Sequence, residues 1–167
     1  LSYDDGIASV IGNLGVCEII VNMLSTEGHS VSEDDKKCAV CWLLRNMGAS
    51  NPENINRLHE AGITVAMSTM ITSGRVQGSA LLSAAFLAAL AGLCFDDNLA
   101  HDFGSENMCD HLLPMMKKYE DDSSIAYLGS EAIRNLSACV NAQENVDKLM
   151  ELGASDVLVS ILGRFSD

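Results

Sequence analysis

Residues able to do chemistry are present in this chain, but their spacing does not bring them together. Cys38 and Cys41 form a C-x-x-C. A zinc site would need a second pair or a nearby histidine, and a thioredoxin-like motif would need a preceding strand. Neither accompanies it. His101 and Asp102 fall close to Cys109, Asp110 and His111, the nearest approach to a metal cluster, yet helical geometry places 101 and 111 on different helices. His29 and His59 lie elsewhere, and the chain contains no H-E-x-x-H, no glycine-rich phosphate loop and no G-x-S-x-G elbow. The expectation is therefore a non-enzymatic protein with no cofactor and no metal.

Composition points the same way. The 167 residues are 48% hydrophobic but only 5% aromatic, with two prolines, a profile of aliphatic helices packed together rather than a β-sandwich or barrel. Ten basic against 23 acidic residues give a formal charge of -13, a field that repels nucleic acid and anionic lipid and attracts basic partners. The acidic residues gather at Asp4-Asp5, Glu33-Asp34-Asp35, Asp96-Asp97 and Glu120-Asp121-Asp122, where solvated connections are expected. All six cysteines (17, 38, 41, 94, 109 and 139) lie mostly in apolar helical patterns and read as small buried hydrophobes in a reducing compartment, cytoplasmic or nuclear. The apolar run from Ala80 to Phe95 is shorter than the roughly 20 residues a membrane span needs. It reads as a buried central helix, with no membrane insertion.

The informative pattern is a repeat. Asn54 to Gly62 (NINRLHEAG) and Asn145 to Gly153 (NVDKLMELG) share Asn, a β-branched residue, Leu, Glu and Gly at the same offsets. A weaker copy starts at Asn98-Leu99, and Ile11 to Gly15 keeps the end of a first copy. Asn54, Asn98 and Asn145 are spaced by 44 and 47 residues, and Gly15 and Gly62 by 47. A second phrase runs in step: Leu44-Arg45-Asn46-Met47, Leu90-Ala91-Gly92-Leu93 and Ile133-Arg134-Asn135-Leu136.

Each unit divides into a short, a medium and a long helix. Asn51 is placed to cap the helix that Pro52 opens and that ends before Gly62. A medium helix follows over Ile63 to Ile71, and a long one over Ser79 to Phe95. The next unit predicts helices near 98–103, 107–119 and 125–140, with a distorted corner where Gly104-Ser105 comes early. Helices over 142–152 and 154–164 follow without a long third, so the sequence reads as a fragment of a longer array. The expected repeats are 1–50, 51–96, 97–140 and a partial 141–167.

A period of about 40 to 47 residues is that of armadillo and HEAT units. The glycine turns at 15, 62 and 153, the helix around Val157 to Leu162 and the ending Ala132-Ile133-Arg134-Asn135-Leu136-Ser137 resemble the armadillo family, which includes importin-alpha and beta-catenin. That resemblance implies an all-α, right-handed alpha-alpha superhelix of three to four repeats, truncated at its C-terminal end. It also implies a concave groove, lined by the third helices, that holds a peptide or helix of a partner protein.

On this likeness Asn46 and Asn135 match the asparagine that bonds a partner's backbone, and Trp42 gives the W-x-x-x-N spacing that holds aliphatic stems of Lys and Arg. Ala88 and Glu131 stand at the positions equivalent to Trp42, and Gly92 replaces the middle asparagine, so a wider middle groove is expected. Tyr127, one turn before Glu131, could face the groove, whereas Arg45 and Arg134 could grip an acidic partner. Both partner charges remain open. The competing role is a structural component of a cytoskeletal or other large assembly rather than an adaptor.

Overall fold

The computed structural model describes residues 5–26, 30–48 and 51–165. Asp4, His29 and the junction at 49–50 between the first two expected repeats lie outside them. Among the described residues the ordered elements are all helices. The first group is α1 (Asp5–Asn13), α2 (Val16–Ser25) and α3 (Val31–Gly48). The second is α4 (Pro52–Glu60), α5 (Ile63–Thr72), a single turn α6 (Arg75–Gly78) and α7 (Ala80–Leu93). The third is α8 (Asp97–Ser105), α9 (Met108–Lys118) and α10 (Ser123–Ala138), followed by α11 (Gln143–Glu151) and α12 (Ala154–Arg164).

The boundaries have local causes. Asn51 accepts a hydrogen bond from the Asn54 amide at 3.0 Å with Pro52 just inside the helix, and Ser79 caps α7 by accepting from Leu82. Asp96 and Asp122, expected to be solvated loop charges, are the N-caps of α8 and α10, where a carboxylate satisfies free amides and opposes the positive helix end.

The first-to-second helix corner needs a left-handed residue. Gly15, Gly62 and Gly153 supply it with φ of 77°, 87° and 82°, and in the third unit Asn107 does so with φ of 60°. The distorted corner expected at Gly104-Ser105 is therefore corrected. Helix α8 runs through both residues, and Gly104 is small for another reason: a Cβ there would lie 1.7 Å from Oδ1 of Asn145.

Asn145, buried in α11, donates to the Leu136 carbonyl near the end of α10 and to the Ala100 carbonyl of α8. Its repeat position is explained by closing the orphan carbonyls of the preceding helix. Gly12 and Asn54 repeat that fit, with a Cβ at 12 placed 1.8 Å from Oδ1 of Asn54.

Helices α3, α7 and α10 run side by side with α7 in the middle. Residues 82–93 of α7 are buried all round, which explains its uninterrupted apolar sequence. Among the described residues no helix is long and apolar enough to cross a membrane. The core is one continuous apolar cluster from Cys17 to Ile161, as expected when each unit covers its neighbour's apolar face.

Candidate binding groove

The open face of α3, α7 and α10 carries the groove. Along α3 the buried seam is Cys38, Cys41, Leu44 and Met47, and Trp42, one residue off that seam, is turned outward at 41% exposure. The first turn of α7 presents Leu81 at 62%, and α10 presents Tyr127 at 65%. These three frame a cavity of about 570 Å³, also lined by Arg45, Ala84 and Leu128, with Asp122 and Ser124 at its α10 rim. Leu81 escaped sequence reading because nothing inside the continuous apolar run of 80–95 marks which residue faces outward.

At the groove floor Arg45 Nη1 meets Glu131 Oε2 at 3.0 Å and the Ala88 carbonyl at 3.5 Å. The pair thus spans from α3 to α10 across α7. Ala88 is fully buried and Gly92 is buried too. The wider middle groove expected from these small residues is not what the structure shows. A Cβ on Gly92 would lie 2.9 Å from the Arg45 Cα and carbonyl oxygen, so the missing side chain lets two helix backbones close together.

Asn46 is half-buried one turn beyond Trp42. Asn135 is buried and donates through Nδ2 to the Ala91 carbonyl at 2.8 Å, closing one of the last carbonyls of α7. Its Oδ1 accepts from Arg134 Nε at 3.2 Å, while the Arg134 guanidinium stands 5.9 Å over the exposed ring of Phe95. The cavity thus gathers Trp42, Arg45 and Tyr127 from the expected site, with Glu131 joined through Arg45. Arg134 and Asn135 stay toward the C-terminal ends of α7 and α10.

Among the other reactive side chains His101 is exposed and His111 half-buried, whereas the six cysteines are buried. Cys41, fully buried in the seam of α3, is pushed by burial from the usual 9.0 to about 12, which keeps it a thiol and not a thiolate. Asp102 pairs with His59 of α4 at 2.7 Å, and Asp110 pairs with Lys148 of α11 at 3.1 Å. Both carboxylates serve contacts between units.

No family model and no curated protein matches the sequence. Among solved structures, a designed armadillo repeat protein in complex with the peptide (KR)4 superposes with a TM-score of 0.76 over 96% of this chain, at 17% identity. The chain has the fold of an armadillo-repeat solenoid. It spans 62% of the length of that designed protein. In armadillo terms α3, α7 and α10 are the third helices, and α6 is an extra turn before the middle one.

Proposed function

We propose that this armadillo domain is a protein-binding adaptor, holding a peptide or helix of a partner against α3, α7 and α10. The observation that carries the reading is the convergence of Trp42, Leu81 and Tyr127, all exposed, on one cavity of about 570 Å³. Large aromatic and aliphatic side chains around a concave site, with charged groups at floor and rim, are the usual make-up of a binding centre. The net charge of -13 favours a basic segment. We further read the repeats as 1–50, 51–96, 97–140 and a partial 141–167. A role in the cytoplasm or nucleus fits the buried free thiols.

Trp42 is the single tryptophan, so its fluorescence reports directly on the groove. Titration with the (KR)4 peptide is expected to shift Trp42 emission. Tyr127→Ala combined with Leu81→Ser should weaken the affinity about tenfold or more, with thermal stability unchanged. Full affinity in the double variant would refute the groove. A second reading, a component of a larger assembly, draws on the exposed Val65, Val159 and Leu162 outside the groove. Loss of partner capture on Val65→Ser and Val159→Ser, with the groove variant neutral, would favour it.

A further inference from the structure

The groove already holds a cation of its own. Arg45 reaches Glu131, 86 residues later, and the two side chains are 24% and 15% exposed. They are largely withdrawn from water; Arg45 lines the cavity with Trp42 and Tyr127, and Glu131 is joined to that cavity through Arg45. One nitrogen meets one carboxylate oxygen and, at longer range, one backbone carbonyl. Among the described residues Oε1 of Glu131 and Nε and Nη2 of Arg45 have no protein partner. A guanidinium and a carboxylate bind most firmly as a bidentate fork. This pair is not one.

A carboxylate, a backbone carbonyl and aromatic rings nearby are what a lysine or arginine side chain seeks. An incoming anion would instead meet Asp122 at the cavity rim beside Trp42 and Tyr127, and Glu131 wherever Arg45 moved aside, within an overall field of -13. The chemistry of the site therefore selects a cation, and the chain supplies one from within.

We propose that Arg45 is an internal placeholder: it holds Glu131 in the free protein, and a lysine or arginine of the bound segment displaces it. The proposal rests on the groove reading above and adds a regulator to it. Arg45 lowers the apparent affinity by the fraction of molecules in which the pair is open, and it withholds Glu131 from uncharged segments. If the pair is closed in about nine molecules of ten, removing Arg45 tightens binding about tenfold.

The test is fluorescence anisotropy with a labelled (KR)4 peptide, alongside thermal melts of each variant. Arg45→Gln is expected to bind about tenfold tighter and Glu131→Gln more weakly than the unaltered chain. Arg134→Gln carries the same change of net charge and controls for general attraction, so its gain should be smaller. In the Glu131→Gln background the Arg45→Gln gain should vanish, since the two act as a unit. Equal gains in Arg45→Gln and Arg134→Gln, or a gain that survives without Glu131, would overturn the proposal. If Arg45→Gln melts early, Arg45→Lys keeps the charge without the fork and should still bind more tightly; unchanged or weaker binding overturns the proposal. Binding lost in Trp42→Ala but indifferent to position 45 leaves the groove reading standing and removes the placeholder. Binding indifferent to positions 42, 45 and 131 removes both, and no binding by the unaltered chain or Arg45→Gln removes the basic-segment proposal.

Discussion

Replacing Gly92 by alanine tests the packing on which the groove floor depends. The added Cβ would lie 2.9 Å from Cα and the carbonyl oxygen of Arg45, about half an ångström inside ordinary contact. Both atoms belong to the backbone of α3, so no rotamer change relieves the clash and the helices must part. Overpacking of this kind costs about 1–3 kcal/mol, and the better helix propensity of alanine returns about 0.8–1.0 kcal/mol. The net expectation is a loss of up to about 2 kcal/mol, read from urea unfolding followed by far-UV circular dichroism. Gly163→Ala is the control, because a Cβ there meets nothing within 4 Å and the residue is helical. That variant should gain up to about 1 kcal/mol from the same propensity term. Both substitutions change the unfolded chain alike, so their difference isolates the contact. A Gly92→Ala protein as stable as Gly163→Ala would show that α3 and α7 do not approach as described.

Further outcomes follow from buried groups. Asn145→Ala strips the Ala100 and Leu136 carbonyls of their donor and should cost about 1–3 kcal/mol, whereas Asn98→Ala, exposed on α8, should stay within about 0.5 kcal/mol; equal effects would contradict the capping role. Leu136→Ala, fully buried, should lower stability by about 2–5 kcal/mol in the same urea assay, and a loss below about 1 kcal/mol would contradict its core position. Burial pushes the thiols of Cys41 and Cys109 up from 9.0 to about 12 and about 11, and that of Cys94 well above its ordinary range. A thiol reagent at about pH 8 should therefore leave these three untouched until the chain unfolds. Because the fold raises these values, their stabilising contribution is full below the ordinary thiol pKa and is lost as pH rises from about 9 toward 12. A urea midpoint that does not fall over that window would contradict the burial.

The parts legible in sequence were those fixed by one residue type. Glycine at 15, 62 and 153 marks a left-handed corner because few other residues tolerate it, and Asn51-Pro52 marks a helix start because capping and a missing amide coincide there. The third corner was misread for the same physical reason. Asn107 tolerates the left-handed region without advertising it, while Gly104 resembles a corner but is small to admit Asn145. Trp42 was singled out by its W-x-x-x-N spacing to Asn46, and it is turned outward at 41% exposure. Helix α6 was not legible, since four residues carry no periodicity. The Arg45 to Glu131 contact depends on how far successive units are displaced, which local patterns do not encode.

That contact gives the small residues of α7 a meaning different from the one their sizes suggest. Packed helices lie about 8–10 Å apart, so the first and third of a row stand roughly 16–20 Å apart. Side chains from both can meet only if they are long and the helix between them raises nothing in their way. Arg45 and Glu131 provide the length, and Ala88 provides the gap and a carbonyl along the path. Gly92, one turn on, lets α7 sink against α3. Alanine and glycine at 88 and 92 and charges at 45 and 131 are thus one constraint written at four positions. A bulky residue at 88 would change the groove in three helices at once, by parting the ion pair and freeing both charges for whatever the cavity binds.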